Sequence, residues 1–143
     1  MTLIERKSRY KFMRLIDSRE ADSVNYAMRS LLAEYGKVIK SVTCDNGSEL
    51  SELSSVLAGA ATAYYAHPYR SCERGTNEVH NKMIRRDFPK GESLDAISPA
   101  AVAQVEDKLN CLPRRNEAYR TPKEVFKDEY QRIRSTAKVV TSS

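Results

Sequence analysis

The chain is short of the residues that staple or anchor a small fold. Its three cysteines, Cys44, Cys72 and Cys111, are odd in number and far apart. They exclude a disulfide framework and a cysteine-rich zinc site, and they point to a reducing cytoplasm. Its two histidines, His67 and His80, are too few and too scattered for a zinc cluster. No apolar run approaches the ~20 residues of a membrane-spanning helix, and no apolar signal segment follows Met1. No internal repeat or low-complexity linker breaks the sequence. Its 143 residues are therefore expected to form one domain, with a core over residues 1–134 and a polar tail over 135–143. A chain of this length buries roughly 68–70% of its unfolded surface without cross-links.

What is present is charge. Charged residues make up 30% and hydrophobic residues 41%, the balance of a soluble globular protein. The net charge of +5 and a pI near 9.2 favour a polyanionic partner.

The pattern of apolar positions predicts mixed strand and helix. Residues 2–4 read as an apolar stub, followed by the charged turn Glu5-Arg6-Lys7-Ser8-Arg9 and a strand over 10–16. Asp17 or Ser18 is the expected cap of the next helix, since Asp17 and Glu20 have capping-box spacing. In that helix Val24, Ala27, Met28, Leu31, Leu32 and Tyr35 share one face, and Gly36 ends it as a left-handed terminator. A strand over 38–44 stops at Asp45-Asn46-Gly47, a short helix covers 51–59, and a short buried strand covers 61–66. Pro68 holds His67 in a loop. A helix is expected over 75–87, broken by Pro89-Lys90-Gly91. Ser98 and Pro99 announce a helix with Val102, Val105, Leu109 and Leu112 on one side. Thr121-Pro122 repeats the signal for a last helix to about residue 133, with a frayed tail from Ser135. This order suits an α/β domain, a sheet flanked by helices.

Two carboxylates stand out. Asp45 closes a predicted strand and Glu78 lies in the first turn of a predicted helix, where the helix dipole favours its ionised form. Carboxylates on two rigid elements of a basic chain suit a magnesium ion held against a phosphodiester. Glu78, Asn81, Lys82 and Arg85 follow i, i+3, i+4, i+7 and share a helical face, while Val79, Met83 and Ile84 pack elsewhere. Spacing alone leaves the plainer alternative open, in which Glu78 is a helix-terminal charge and Asp45 a turn residue.

Several segments resemble signatures of bacterial insertion-sequence transposases of family thirty, in the family's order and spacing. They are Thr2-Leu3-Ile4-Glu5-Arg6-Lys7-Ser8-Arg9-Tyr10, Cys44-Asp45-Asn46-Gly47-Ser48-Glu49 and Ala66-His67-Pro68-Tyr69. Cys72-Glu73-Arg74-Gly75-Thr76-Asn77-Glu78, continuing through residues 81–86 and Phe88-Pro89-Lys90-Gly91, is the most specific, and Tyr119-Arg120-Thr121-Pro122-Lys123-Glu124-Val125-Phe126 closes the pattern. The resemblance implies a ribonuclease-H-like, integrase-catalytic-core fold and an Asp-Asp-Glu triad that uses Mg²⁺ or Mn²⁺ to cleave and join DNA. Asp45 matches the second Asp and Glu78 the Glu, as catalytic and metal-binding residues. The implied partners are double-stranded DNA, at element ends and target, and other transposase subunits. The implied location is the bacterial cytoplasm, on DNA.

The family's first Asp lies on a strand ahead of the segment with which this sequence opens. The first strand, that Asp and the N-terminal DNA-binding region have no counterpart here. The expectation is a truncated core, inactive alone; the alternative is a non-catalytic DNA-binding or assembly remnant. Asp17 is better explained as a cap than as a substitute.

Asn81, Lys82, Arg85, Arg86, Lys90 and Arg120 are the expected DNA contacts, with Arg114 and Arg115 as further phosphate-neutralising cations. Six phosphate contacts would give a log–log salt slope of roughly −5. Leu112 and Ala118 depart from the family, which is more basic near the first and carries Gly at the second. Glu5 and Glu49 are expected in salt bridges or turns, His67 in a loop, and Tyr64, Tyr65 and Tyr69 in packing. Alternation turns Cys44 away from the site.

Overall fold

The computed structural model describes residues 1–17, 20–44, 52–65, 79, 82–91 and 93–141. Its first unit is a hairpin. β1 (Thr2–Glu5) and β2 (Lys11–Met13) pair antiparallel with Leu3 opposite Phe12 and Ile4 opposite Lys11. The expected stub is thus a strand in its own right, and the strand expected over 10–16 is confined to three residues. Glu5 makes the turn between them. Its carboxylate is 3% exposed and accepts the Lys7 N–H at 2.9 Å, the Ser8 N–H at 2.7 Å and the Ser8 hydroxyl at 2.6 Å. A buried carboxylate is tolerated where such donors surround it. Arg9 completes the reversal with φ of +59°.

α1 (Ala21–Tyr35) buries Val24, Ala27, Met28 and Leu31, the face its periodicity predicts. Its ends differ from expectation. The N-cap is Glu20, so exposed Asp17 lies outside the helix and is not the cap; Ser18 is outside the described residues. Gly36 is right-handed, with φ of −58°, so handedness does not explain it. Its N–H bonds the Leu32 carbonyl at 2.8 Å, and a Cβ there would stand 2.4 Å from that oxygen. Close approach is the reason for glycine. Val38 and Ile39 then donate back to the Tyr35 carbonyl and are buried as a turn, so the next strand starts later than residue 38.

β3 (Ser41–Cys44) runs antiparallel to β1 and parallel to β4 (Thr62–Tyr65), with α2 (Leu53–Val56) between them in the chain. The sheet order is β2-β1-β3-β4. Among the described residues β4 is the terminal strand, and Tyr64 is 47% exposed, so it is not the buried strand its composition suggests.

Alternation along β2 divides the molecule into two cores. Phe12 faces the larger, with Leu3, Met28, Leu31, Val42 and Phe126; Met13 faces the other, with Val102, Val105 and Leu109. The second core is built by α3, helical over residues 82–87, and α4 (Pro99–Asn110). Ser98 caps α4 as expected, its hydroxyl accepting the Ala101 N–H at 3.1 Å. Leu112, expected on the buried side, lies beyond the helix and is 38% exposed.

α4 also closes the β2 edge of the sheet. Asn110 Oδ1 accepts the Lys11 N–H and its Nδ2 donates to the Lys11 carbonyl, both at 2.8 Å. One helical turn earlier, Glu106 accepts the Met13 N–H at 2.6 Å and pairs with Arg14 at 2.9 Å. Two residues along a strand and one turn along a helix cover similar distances, so side chains spaced i, i+4 meet successive outward backbone groups.

α5 (Pro122–Thr141) opens with a capping box. The Thr121 N–H donates to Glu124 at 2.8 Å and the Glu124 N–H returns to the Thr121 hydroxyl at 3.2 Å. Phe126 packs against Tyr10, Phe12 and Tyr35, with ring centroids 4.6, 5.5 and 5.7 Å away. The helix continues to Thr141, so the stretch after Ser135 is helical rather than frayed. Among the described residues the architecture is a mixed four-stranded sheet with five helices, and none of those helices is long and apolar enough to cross a membrane.

Candidate nucleic-acid interface

Asp45, Glu78 and Asn81 lie outside the described residues, as do His67, Glu49 and Tyr69. The elements leading to the two carboxylates are described: β3 ends at Cys44, immediately before Asp45, and Val79, immediately after Glu78, is helical. Among the described residues no group of three or more His, Cys, Asp or Glu side chains could hold a metal ion.

The basic side of α3 is described. Lys82, Arg85, Arg86 and Lys90 are exposed, while Met83, Ile84 and Phe88 are partly buried against the second core. The apolar side fixes the helix and leaves the cations outward, as their spacing predicts. Lys108 on α4 pairs with Asp87 at 2.8 Å and ties the two helices together. Val79, expected to pack, is 50% exposed. Arg85 borders a cleft of about 370 Å³ shared with Met13, Arg14, Ile84, Phe88 and Val102.

The loop between α4 and α5 treats its three arginines differently. Arg120 pairs with Asp128, so a phosphate would have to compete for it. Arg115 is exposed. Arg114 is half-buried, its Nε is buried with no hydrogen-bond partner among the described residues, and burial lowers its proton affinity. Its backbone is the hub of the loop: its N–H donates to the Arg120 carbonyl and its carbonyl accepts from Tyr119, both at 2.9 Å. Closing so tight a loop requires left-handed backbone at Ala118 (φ 52°) and Tyr119 (φ 63°). The glycine of the resembling family thus meets a backbone need at position 118, where this chain strains an alanine.

Lys11 is a further cation that the sequence did not single out. It is 3% exposed, and burial, followed by the nearby Arg114, pushes its pKa down to about 8. Tyr64 carries another. The Arg6 guanidinium lies over its ring, 4.1 Å from the centroid. Neither contact has a local signal, because each joins residues from separate elements.

No protein-family profile matches the chain. Similarity to individual proteins is extensive. A probable transposase for insertion-like sequence element IS1161 of Streptococcus salivarius is 37% identical over 126 residues, which are 88% of this chain and 36% of that protein. A transposase for insertion sequence element IS4351 of Bacteroides fragilis is 31% identical over 89% of this chain and 39% of its own length. Transposase InsI for insertion sequence element IS30C of Escherichia coli is 34% identical over 87% of this chain and 33% of its own length. The chain spans about a third of the length of these curated relatives.

Proposed function

Starting from the kinship of this chain, over most of its length, with transposases of IS30 type, we propose that it forms part of a DNA-transposing enzyme. The observation that carries this reading is the 126-residue match at 37% identity. Its fold is proposed to be ribonuclease-H-like, a reading supported by a mixed sheet with helices packed on both faces. Asp45 and Glu78 are proposed as two carboxylates of the catalytic triad, the third coming from outside these 143 residues. Carboxylate oxygens are the donor set a hard divalent cation prefers, so Asp45 and Glu78 would hold Mg²⁺ or Mn²⁺. When bound, the metal would activate the attacking oxygen and stabilise the leaving one in cleavage and joining of DNA strands.

The chain's own described residues supply the electrostatics. Lys82, Arg85 and Arg86 project from α3 and Lys90 from the turn beyond it, on a segment anchored by Met83, Ile84 and Phe88, an array suited to backbone phosphates. The test is nicking of supercoiled plasmid in Mg²⁺ or Mn²⁺. It compares this chain with a form extended upstream to include a third carboxylate, each with and without Glu78→Gln. Metal-dependent nicking by the extended form, abolished by Glu78→Gln, is expected; nicking that survives Glu78→Gln refutes the assignment.

A further inference from the structure

The turn between β1 and β2 carries cations that the proposed function does not use. Glu5 is committed entirely to this turn: it is 3% exposed and accepts three hydrogen bonds within it. The result is a fixed reversal that presents Arg6 at the end of β1, with the Arg6 N–H bonded to the Ser41 carbonyl. The Arg6 side chain then reaches across the sheet to Tyr64 on β4, its guanidinium 4.1 Å from the ring centroid. The register shows where this contact lies. Lys11, Ile4, Thr43 and Tyr64 face one another across the four strands and share one side of the sheet. α4 covers that side over β2, where Met13 is buried, whereas Tyr64 over β4 is 47% exposed and Arg6 is exposed. Thr43, opposite Tyr64, stands two residues before Asp45 in the sequence.

We propose that Arg6, held over the Tyr64 ring, is a phosphate clamp for duplex DNA lying across the open half of this sheet face, beside the end of β3. A guanidinium seated over an aromatic ring can stack by its π-face and offer its N–H edge for the two-pronged contact that phosphate accepts. No carboxylate pairs with Arg6 among the described residues, in contrast to Lys7, which is tied to Glu129 at 2.9 Å, and Arg120, which is tied to Asp128. Pinning one long side chain in advance lowers the ordering cost of a contact. Tyr64 is a positioning residue in this scheme, and Arg6 makes the contact. The proposal rests on the DNA-acting role argued above and adds a residue and a surface to it.

The test is binding of this chain to a labelled duplex oligonucleotide by fluorescence anisotropy, with salt varied from about 50 to 200 mM. Arg6→Gln is expected to flatten the log–log salt slope by about 0.9, the value of one lost phosphate contact. Arg6→Lys should restore the slope without the full affinity. Tyr64→Leu should keep the slope and weaken binding about two- to five-fold, the scale of an exposed cation–π contact. Arg29→Gln, an exposed cation on α1, should leave both at wild type, and the thermal midpoint of Arg6→Gln should fall by no more than about 4 °C, the share of one exposed cation–π contact. A wild-type slope in Arg6→Gln overturns the clamp. If Lys82→Gln with Arg85→Gln still flattens the slope in that case, the DNA-acting role stands and only the clamp falls. A wild-type chain that binds no duplex at all overturns both.

Discussion

Asn110→Ala is the substitution that best separates the edge-closing role of α4 from its simple hydrophobic docking. Asn110 is 1% exposed, and its amide satisfies both backbone groups of Lys11 at 2.8 Å. Alanine would leave a buried N–H and a buried C=O without partners. Each orphan costs about 1–3 kcal/mol, and partial hydration recovers some of it. The expected loss is therefore about 2–4 kcal/mol, a large share of the roughly 5–15 kcal/mol that stabilises a domain of this kind. At about 4 °C per kcal/mol for a domain of this size, the melting temperature should fall by about 8–16 °C. Thermal and urea unfolding followed by circular dichroism measure the loss, and amide exchange at Lys11 should accelerate in parallel. The neighbouring exposed Cys111→Ala is the control and should change stability by less than about 0.5 kcal/mol. If Asn110→Ala costs no more than that control, the edge is satisfied by water, and α4 is held by Val102, Val105 and Leu109 alone.

Two further predictions concern backbone strain and a buried charge. Ala118→Gly should stabilise the chain by about 0.5–1 kcal/mol, because left-handed strain of about 1–2 kcal/mol outweighs the extra unfolded-state entropy of glycine; a lower urea midpoint would refute this. Lys11 has a folded pKa of about 8 against 10.5 for the free side chain, so between those values the unfolded chain binds a proton that the folded one does not. The penalty of burying the charge is complete below pH 8 and gone above 10.5. Wild-type stability should consequently rise by about 1 kcal/mol from pH 7 to 9 relative to Lys11→Met, and parallel pH profiles for the two proteins would refute it.

Elements whose signal is local were readable in the sequence. The apolar face of α1, the Ser98-Pro99 start of α4 and the Thr121–Glu124 box of α5 all depend on residues within a few positions of one another. Features set by distant pairing were not. Thr2–Glu5 is a strand because β2 and β3 bind its two sides, and Lys11 meets Asn110 across 99 positions. Asp17 has capping-box spacing with Glu20, yet the helix begins beyond both. Leu112 continues the apolar period of α4 past the point where the helix stops. In the candidate site, charge type was readable and its surroundings were not: Arg85 and Arg86 are exposed, Arg120 is engaged by Asp128, and Arg114 is turned inward.

The contact of Phe126 with Tyr10 and Phe12 joins distant parts of the chain in time as well as in space. Phe126, which covers Tyr10 and Phe12, leaves the ribosome more than a hundred residues after them. At translation rates of roughly 5–20 residues per second, the hairpin waits on the order of ten seconds for its lid. During that interval its apolar side is open to chaperones, and the larger core can close only when α5 has been made.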